Sequence, residues 1–272
     1  MKSSALDRVV AHNIEQSIPY LARPGLLDAD GKSPLVDRIL EQARPYFGKQ
    51  VHLPADIELA IDFASRVGPA FEYQGEREVA LKWYEIGQYA WTGGEHFREY
   101  VGMDALQIEQ SMREAPAEAQ QPAALMAALA GNILRADELF RWAARNRQLS
   151  DEEIRFHEET RQYQSVWQTL GFRVGCLTWL GEWVQALRDS TIAQRMIEKT
   201  RRAGYPKDFR EPQLLALIGG RIASYHLNPT PENRQGARDA LSLSKIPDRD
   251  PLTRFAMLPY LFAFRRRYPE LL

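Results

Sequence analysis

Apolar residues recur at i, i+3 and i+4 through most of the chain, and alternating Val/Ile/Thr runs bounded by turn residues are missing. That periodicity predicts helices and no sheet. About eleven helices follow from it. The first is expected over Ser4–Ala22 and the second from the Ser33-Pro34 start to Phe47-Gly48, where serine caps and proline takes the first helical position. A third begins at Pro54 with Ile57, Ala60, Ile61 and Ala64 on one face and is expected to stop at Gly68-Pro69. The fourth spans Glu76–Thr92 before Gly93-Gly94, and residues 95–113 form a weaker helix. Pro116, Pro122 and the Ala/Gln stretch between them read as a connector, followed by a pair, Ala123–Ala130 and Leu134–Arg147, about Gly131.

The clearest helix start is Ser150-Asp151-Glu152-Glu153, a capping box in which Ser150 and Glu153 satisfy each other's backbone N–H groups. From there one helical pattern runs to Gly175 or Leu180, with a break or bend expected at Gly171 and Gly175. Glu182–Ala203, Glu211–His226, Glu232–Ser242 after a Thr230-Pro231 cap, and Pro251–Tyr268 complete the series.

Composition narrows the class. With 272 residues, 44% apolar and 26% charged, the chain has enough material for a well-buried core and is too apolar for disorder. Net charge is −1, but residues 1–194 carry 20 Lys+Arg against 28 Asp+Glu, and residues 195–272 carry 15 against 8. The basic end, with Arg265 and Arg266 in its Arg-Arg-Arg run, suits an acidic partner surface, whereas a nucleic-acid binder would be basic throughout. Cys176 is the single cysteine, so an intrachain disulfide and a cysteine metal cluster are excluded. Met1–Arg8 lacks an apolar signal core, and the most apolar stretch, Phe172–Leu187, is interrupted by Arg173 and Glu182. A soluble cytoplasmic protein that does not enter a membrane is the expectation.

Three stretches resemble the tetratricopeptide family, whose helix A carries Trp and Leu-Gly and whose helix B carries a turn glycine, an aromatic and an alanine. They are Trp83-Tyr84-Glu85-Ile86-Gly87-Gln88-Tyr89-Ala90 with Gly94; Gly131, Ile133, Ala136, Phe140 and Ala143; and Gly181-Glu182-Trp183-Val184-Gln185-Ala186-Leu187 with Ala193. The resemblance covers roughly residues 76–200, its motifs are moderately specific, and the glycines stand 37 and 50 residues apart instead of the family's fixed period near 34. It implies an all-α fold of antiparallel helix pairs stacked as a right-handed α-solenoid, with a compact, irregular helical bundle as the alternative. One domain over 1–272 is expected, with N-terminal helices over 1–75, helix pairs over 76–203 and basic helices over 204–272.

In that family the outward positions of helix A line a concave groove. Carried over, those positions are Tyr84, Gln88 and Trp91 in the first stretch and Gln168, Thr178 and Trp179 in the third. The competing reading makes the aromatics core residues. Known chemical signatures do not fit. None of His12, His52, His96, His157 and His226 has a carboxylate three residues before it; Gly31-Lys32-Ser33 lacks the correctly spaced earlier glycine and a strand; and Asp28-Ala29-Asp30-Gly31 meets Ile39 where a calcium loop needs glutamate. No cofactor, metal or catalytic residue is therefore expected. The function read from the sequence is a non-catalytic module that binds a protein or peptide partner, as an adaptor, a chaperone or an immunity/antitoxin-type inhibitor. The alternative is an all-helical enzyme or small-ligand binder with an aromatic-lined pocket.

Overall fold

A computed structural model describes residues 5–12, 55–92, 104–204, 211–245 and 250–272. Every regular element among them is helical. Residues 5–12 form one helix, followed by α1 (Ala55–Tyr73), α2 (Arg77–Thr92), α3 (Ala105–Glu114), α4 (Ala117–Leu129), α5 (Ile133–Asn146), α6 (Asp151–Glu159), α7 (Tyr163–Leu180), α8 (Trp183–Arg202), α9 (Glu211–Leu227), α10 (Pro231–Ala240) and α11 (Pro251–Arg267). The expected second helix, the start of the third at Pro54, the loop over 28–32 and the Gly93-Gly94 turn lie outside the described residues. The chain divides into two compact units, Met1–Leu139 and Phe140–Leu272, and the division falls inside α5.

In the first unit α1, α2 and α4 pack together, with α3 against α2 and α4. Gly87 lets all three approach closely, since a Cβ there would press into Met126 and lie 3.0 Å from the Ala64 Cβ. Two expectations fail in this unit for related reasons. α1 does not stop at Gly68-Pro69 but carries Pro69 within it and ends at Tyr73, because Gly68 serves as a seat for the Tyr84 ring instead of as a terminator. The presumed connector between Pro116 and Pro122 is also helix: Pro116 takes the N-cap position, the alanines favour helix strongly, and Ala123 to Leu129 are all buried. The buried Gln120 amide then donates to the carbonyls of Met112 and Arg113, at 3.0 Å each, and so closes the C-terminal end of α3.

In the second unit α7, α8 and α9 pack against one another in all three pairings, α6 lies on α7, α10 on α9, and α11 on both α7 and α9. The Ser150–Glu153 capping box forms as expected, and the Glu153 carboxyl is held below its usual range by the Ser150 N–H and hydroxyl it accepts from. The long pattern after Ser150 breaks at Thr160–Gln162 and passes straight through Gly171 and Gly175. Gly171 is a packing glycine: a Cβ there would overlap the Pro212 carbonyl at the start of α9. Where α7 does end, Gly181 takes the left-handed φ of 75° that a side chain resists.

Candidate functional site

An arginine inside an apolar helix needs a partner, and α7 places Arg173 against α8, where Asp189 supplies one. Arg173 is 6% exposed and Asp189 2%. The guanidinium is used on three sides: Nη1 pairs with Asp189, Nε donates to the Ala144 carbonyl at 3.1 Å, and Nη2 to Gln185 Oε1 at 3.1 Å. Burial raises the Asp189 carboxyl above its usual range, and the adjacent Arg173 charge opposes that rise.

A second polar group lies in the same interior. The Glu211 carboxyl, half-buried at the start of α9, is hydrogen-bonded to the Tyr260 hydroxyl of α11 and is pushed up to about 7, mainly by loss of water. Burial also pushes the Cys176 thiol up to about 11 and the Tyr260 hydroxyl well above its usual range. Arg147 is 5% exposed, stands over the Phe172 ring at 4.8 Å, and its charge acts on Glu211, Cys176 and Tyr260. A thiol so placed is a poor nucleophile, because its thiolate is disfavoured. Among the described residues no group of three or more His, Cys, Asp or Glu side chains is arranged to hold a metal ion.

The accessible polar surface is elsewhere in this unit. An open cleft of about 660 Å³ is lined by both α9 and α10, with Arg221 and Ser224 from the first and Glu232, Asn233, Gln235 and Asp239 from the second. Thr230 caps α10, and Asn233 Nδ2 donates to the Asn228 carbonyl at 2.8 Å, which ties the turn beneath the cleft to α10. Gly236 faces this space, and a Cβ there would meet no atom within 4 Å. Packing therefore does not require this mid-helix glycine, although it costs helix stability relative to alanine.

Three of the residues expected on a concave face, Tyr84, Thr178 and Trp179, are buried within their own units. Tyr84 is fully buried and donates its hydroxyl to Glu72 Oε2 at 2.7 Å. Trp179 is 1% exposed, sits 5.4 Å from the Phe140 ring and lies beneath the Arg267 guanidinium. Thr178 is buried, and both its carbonyl and that of Trp179 accept from the Tyr268 hydroxyl. These three are core residues: their rings and methyl group fill space between helices, leaving no face for a partner. Gln88 and Gln168 are half-buried. Trp91 lies in α2, but its side chain is outside the described residues.

The basic end is also turned inward in part. Arg265 donates from Nε and Nη2 to the Leu241 carbonyl at 3.0 and 2.6 Å, while Arg266 is exposed. Sequence reasoning missed the Arg173–Asp189 pair, the Glu211–Tyr260 pair and the α9–α10 cleft. The signal for the first was Arg173 itself, which interrupts an apolar run. The cleft had only one, a glycine inside a short polar helix. No protein-family model matches the chain, and no curated protein or solved structure does either.

Proposed function

We propose that the chain is a non-catalytic protein- or peptide-binding helical module of the adaptor or immunity type, and that the α9–α10 cleft is its binding surface. The observation that carries this reading is the cleft itself, with polar side chains on both walls and Gly236 leaving the helix backbone open to an approaching chain. Its charges are mixed, with Arg221 facing Glu232 and Asp239, which suits the alternating donors and acceptors of a peptide. Support also comes from the interior, where the Arg173 and Asp189 charges are spent on each other. The helix-pair likeness to the tetratricopeptide pattern, with tight left-handed turns at Gly131 and Gly181, points to the same class.

The test is affinity capture from the native host followed by mass spectrometry, run in parallel with Gly236→Arg, which fills the cleft. A stoichiometric protein partner that is lost with Gly236→Arg supports the reading. Recovery of no stoichiometric partner overturns it. One observation favours the rival reading of an enzyme or small-ligand binder: Glu211 at about 7 is poised where a proton-transfer group works best. Retention of the partner by Glu211→Gln would separate that carboxyl from the binding function.

A further inference from the structure

α6 is the least buried α-helix of the second unit, and its outward face sets one aromatic ring among carboxylates. Ile154 alone is buried, and the helix is held from its inner edge by ion pairs to α8: Asp151 with Arg188 at 2.6 Å, and Glu158 with Arg195 at 3.2 Å and with Lys199. Those three basic side chains of α8 are thereby engaged. Glu152, Phe156 and Glu159 follow at i, i+4 and i+7, a spacing that places them in one row, and all three are exposed. Glu152 and Glu159 have no hydrogen-bond or ion-pair partner among the described residues. Phe156 between them is 58% exposed. Among the described residues it is the one aromatic ring in the set of exposed large apolar side chains, and aromatic side chains are the preferred anchors of contact surfaces.

Charge then says what kind of partner. Residues 151–159 carry five carboxylates against one arginine, and the Nε of that Arg155 is turned to the Asp151 carbonyl at 3.2 Å. An acidic partner would be repelled. Building on the protein-binding reading above, we infer that the Glu152–Phe156–Glu159 row docks a basic helical segment of a partner protein, whose apolar side chains are flanked by lysine and arginine. Phe156 packs on those apolar side chains, and the two glutamates meet the flanking cations. This reverses the acidic partner suggested by the basic end of the sequence, where Arg265 is already bonded to Leu241.

The probe is a fluorescein-labelled synthetic helical peptide with Lys and Arg flanking a central Leu-Leu pair, titrated with the full chain by fluorescence anisotropy. Phe156→Ser and Glu152→Lys/Glu159→Lys are expected to weaken binding at least about tenfold. The control Glu76→Lys/Glu78→Lys, which reverses two exposed charges of the first unit, should leave it unchanged. Thermal melts of the variants should match the parent, since the replaced side chains are exposed. Binding by the parent that Phe156→Ser does not weaken, or that the control weakens equally, overturns the inference, as does no binding by the parent. Sedimentation showing a dimer that Phe156→Ser dissolves also overturns it, in favour of a second copy of this chain. A captured partner that both α6 variants retain would sink the inference and leave the cleft reading standing.

Discussion

α6 and α7 are consecutive helices joined by a three-residue turn, yet they treat water in opposite ways. α7 buries Val166, Trp167, Leu170 and most residues onward to Trp179, including a charged arginine, whereas α6 buries Ile154 alone. Both carry charge. In α7 the charge is enclosed and answered by one partner of fixed geometry, so it contributes to a unique packing arrangement and little to solubility. In α6 the inner charges pair with α8 in solvent, where each pair is worth at most about 1 kcal/mol, and Glu152 and Glu159 meet no partner among the described residues. The pair teaches that charge seen in a sequence carries no functional meaning until its side of the helix is known.

The sharpest way to break this contrast is to remove the buried partner. Asp189→Ala strands the Arg173 guanidinium and is expected to cost about 3–5 kcal/mol in urea unfolding, far beyond what any α6 ion-pair deletion would cost. Next in size is a pH effect. A carboxyl raised in the fold, as Glu211 is, binds its proton more tightly folded than unfolded. Its contribution is therefore fully present below the ordinary glutamate range and is lost as pH rises through about 7. Melting temperature should fall across that window, and Glu211→Gln should flatten the fall.

The turns at the two ends of α7 offer a smaller and signed test. Gly181 and Arg161 both adopt positive φ, 75° and 59°, but the second does so with a side chain. Gly181→Ala should cost roughly 1 kcal/mol and Arg161→Gly should return a similar amount, both read from thermal melts. Smallest of all, Phe156→Ser should change stability by no more than about 0.5 kcal/mol, since its ring is already in water. A large loss there would mean that α6 is packed as α7 is, and the contrast would collapse.

Local signals were legible where the physics is local. The Ser150–Glu153 capping box, the Thr230-Pro231 start and the Gly131 and Gly181 turns are each decided within a few residues, and each forms. Glycine and proline inside helices were not legible. Gly171 looks like a break in the sequence and is a contact with Pro212, forty-one positions away; Pro122 looks like a linker and lies within α4. The same limit governs the site. Tyr84 and Trp179 fit either core or groove by spacing, and only their neighbours, Glu72 for one and Phe140 for the other, settle them as core. Arg173 announced a buried charge, but no spacing rule points to Asp189 on the next helix.

The Tyr268 hydroxyl closes the C-terminal end of α7 from 90 positions downstream. During synthesis the helices of this unit can pair with their sequence neighbours as they emerge, and the Thr178 carbonyl already accepts from the Gly181 N–H of its own turn at 3.3 Å, but the added bonds from the tyrosine wait for almost the whole unit to be made. The fold is thus completed by a late, long-range latch. Until it forms, α7 ends on its own Gly181 turn, without the contact that ties it to the C-cap residue of α11.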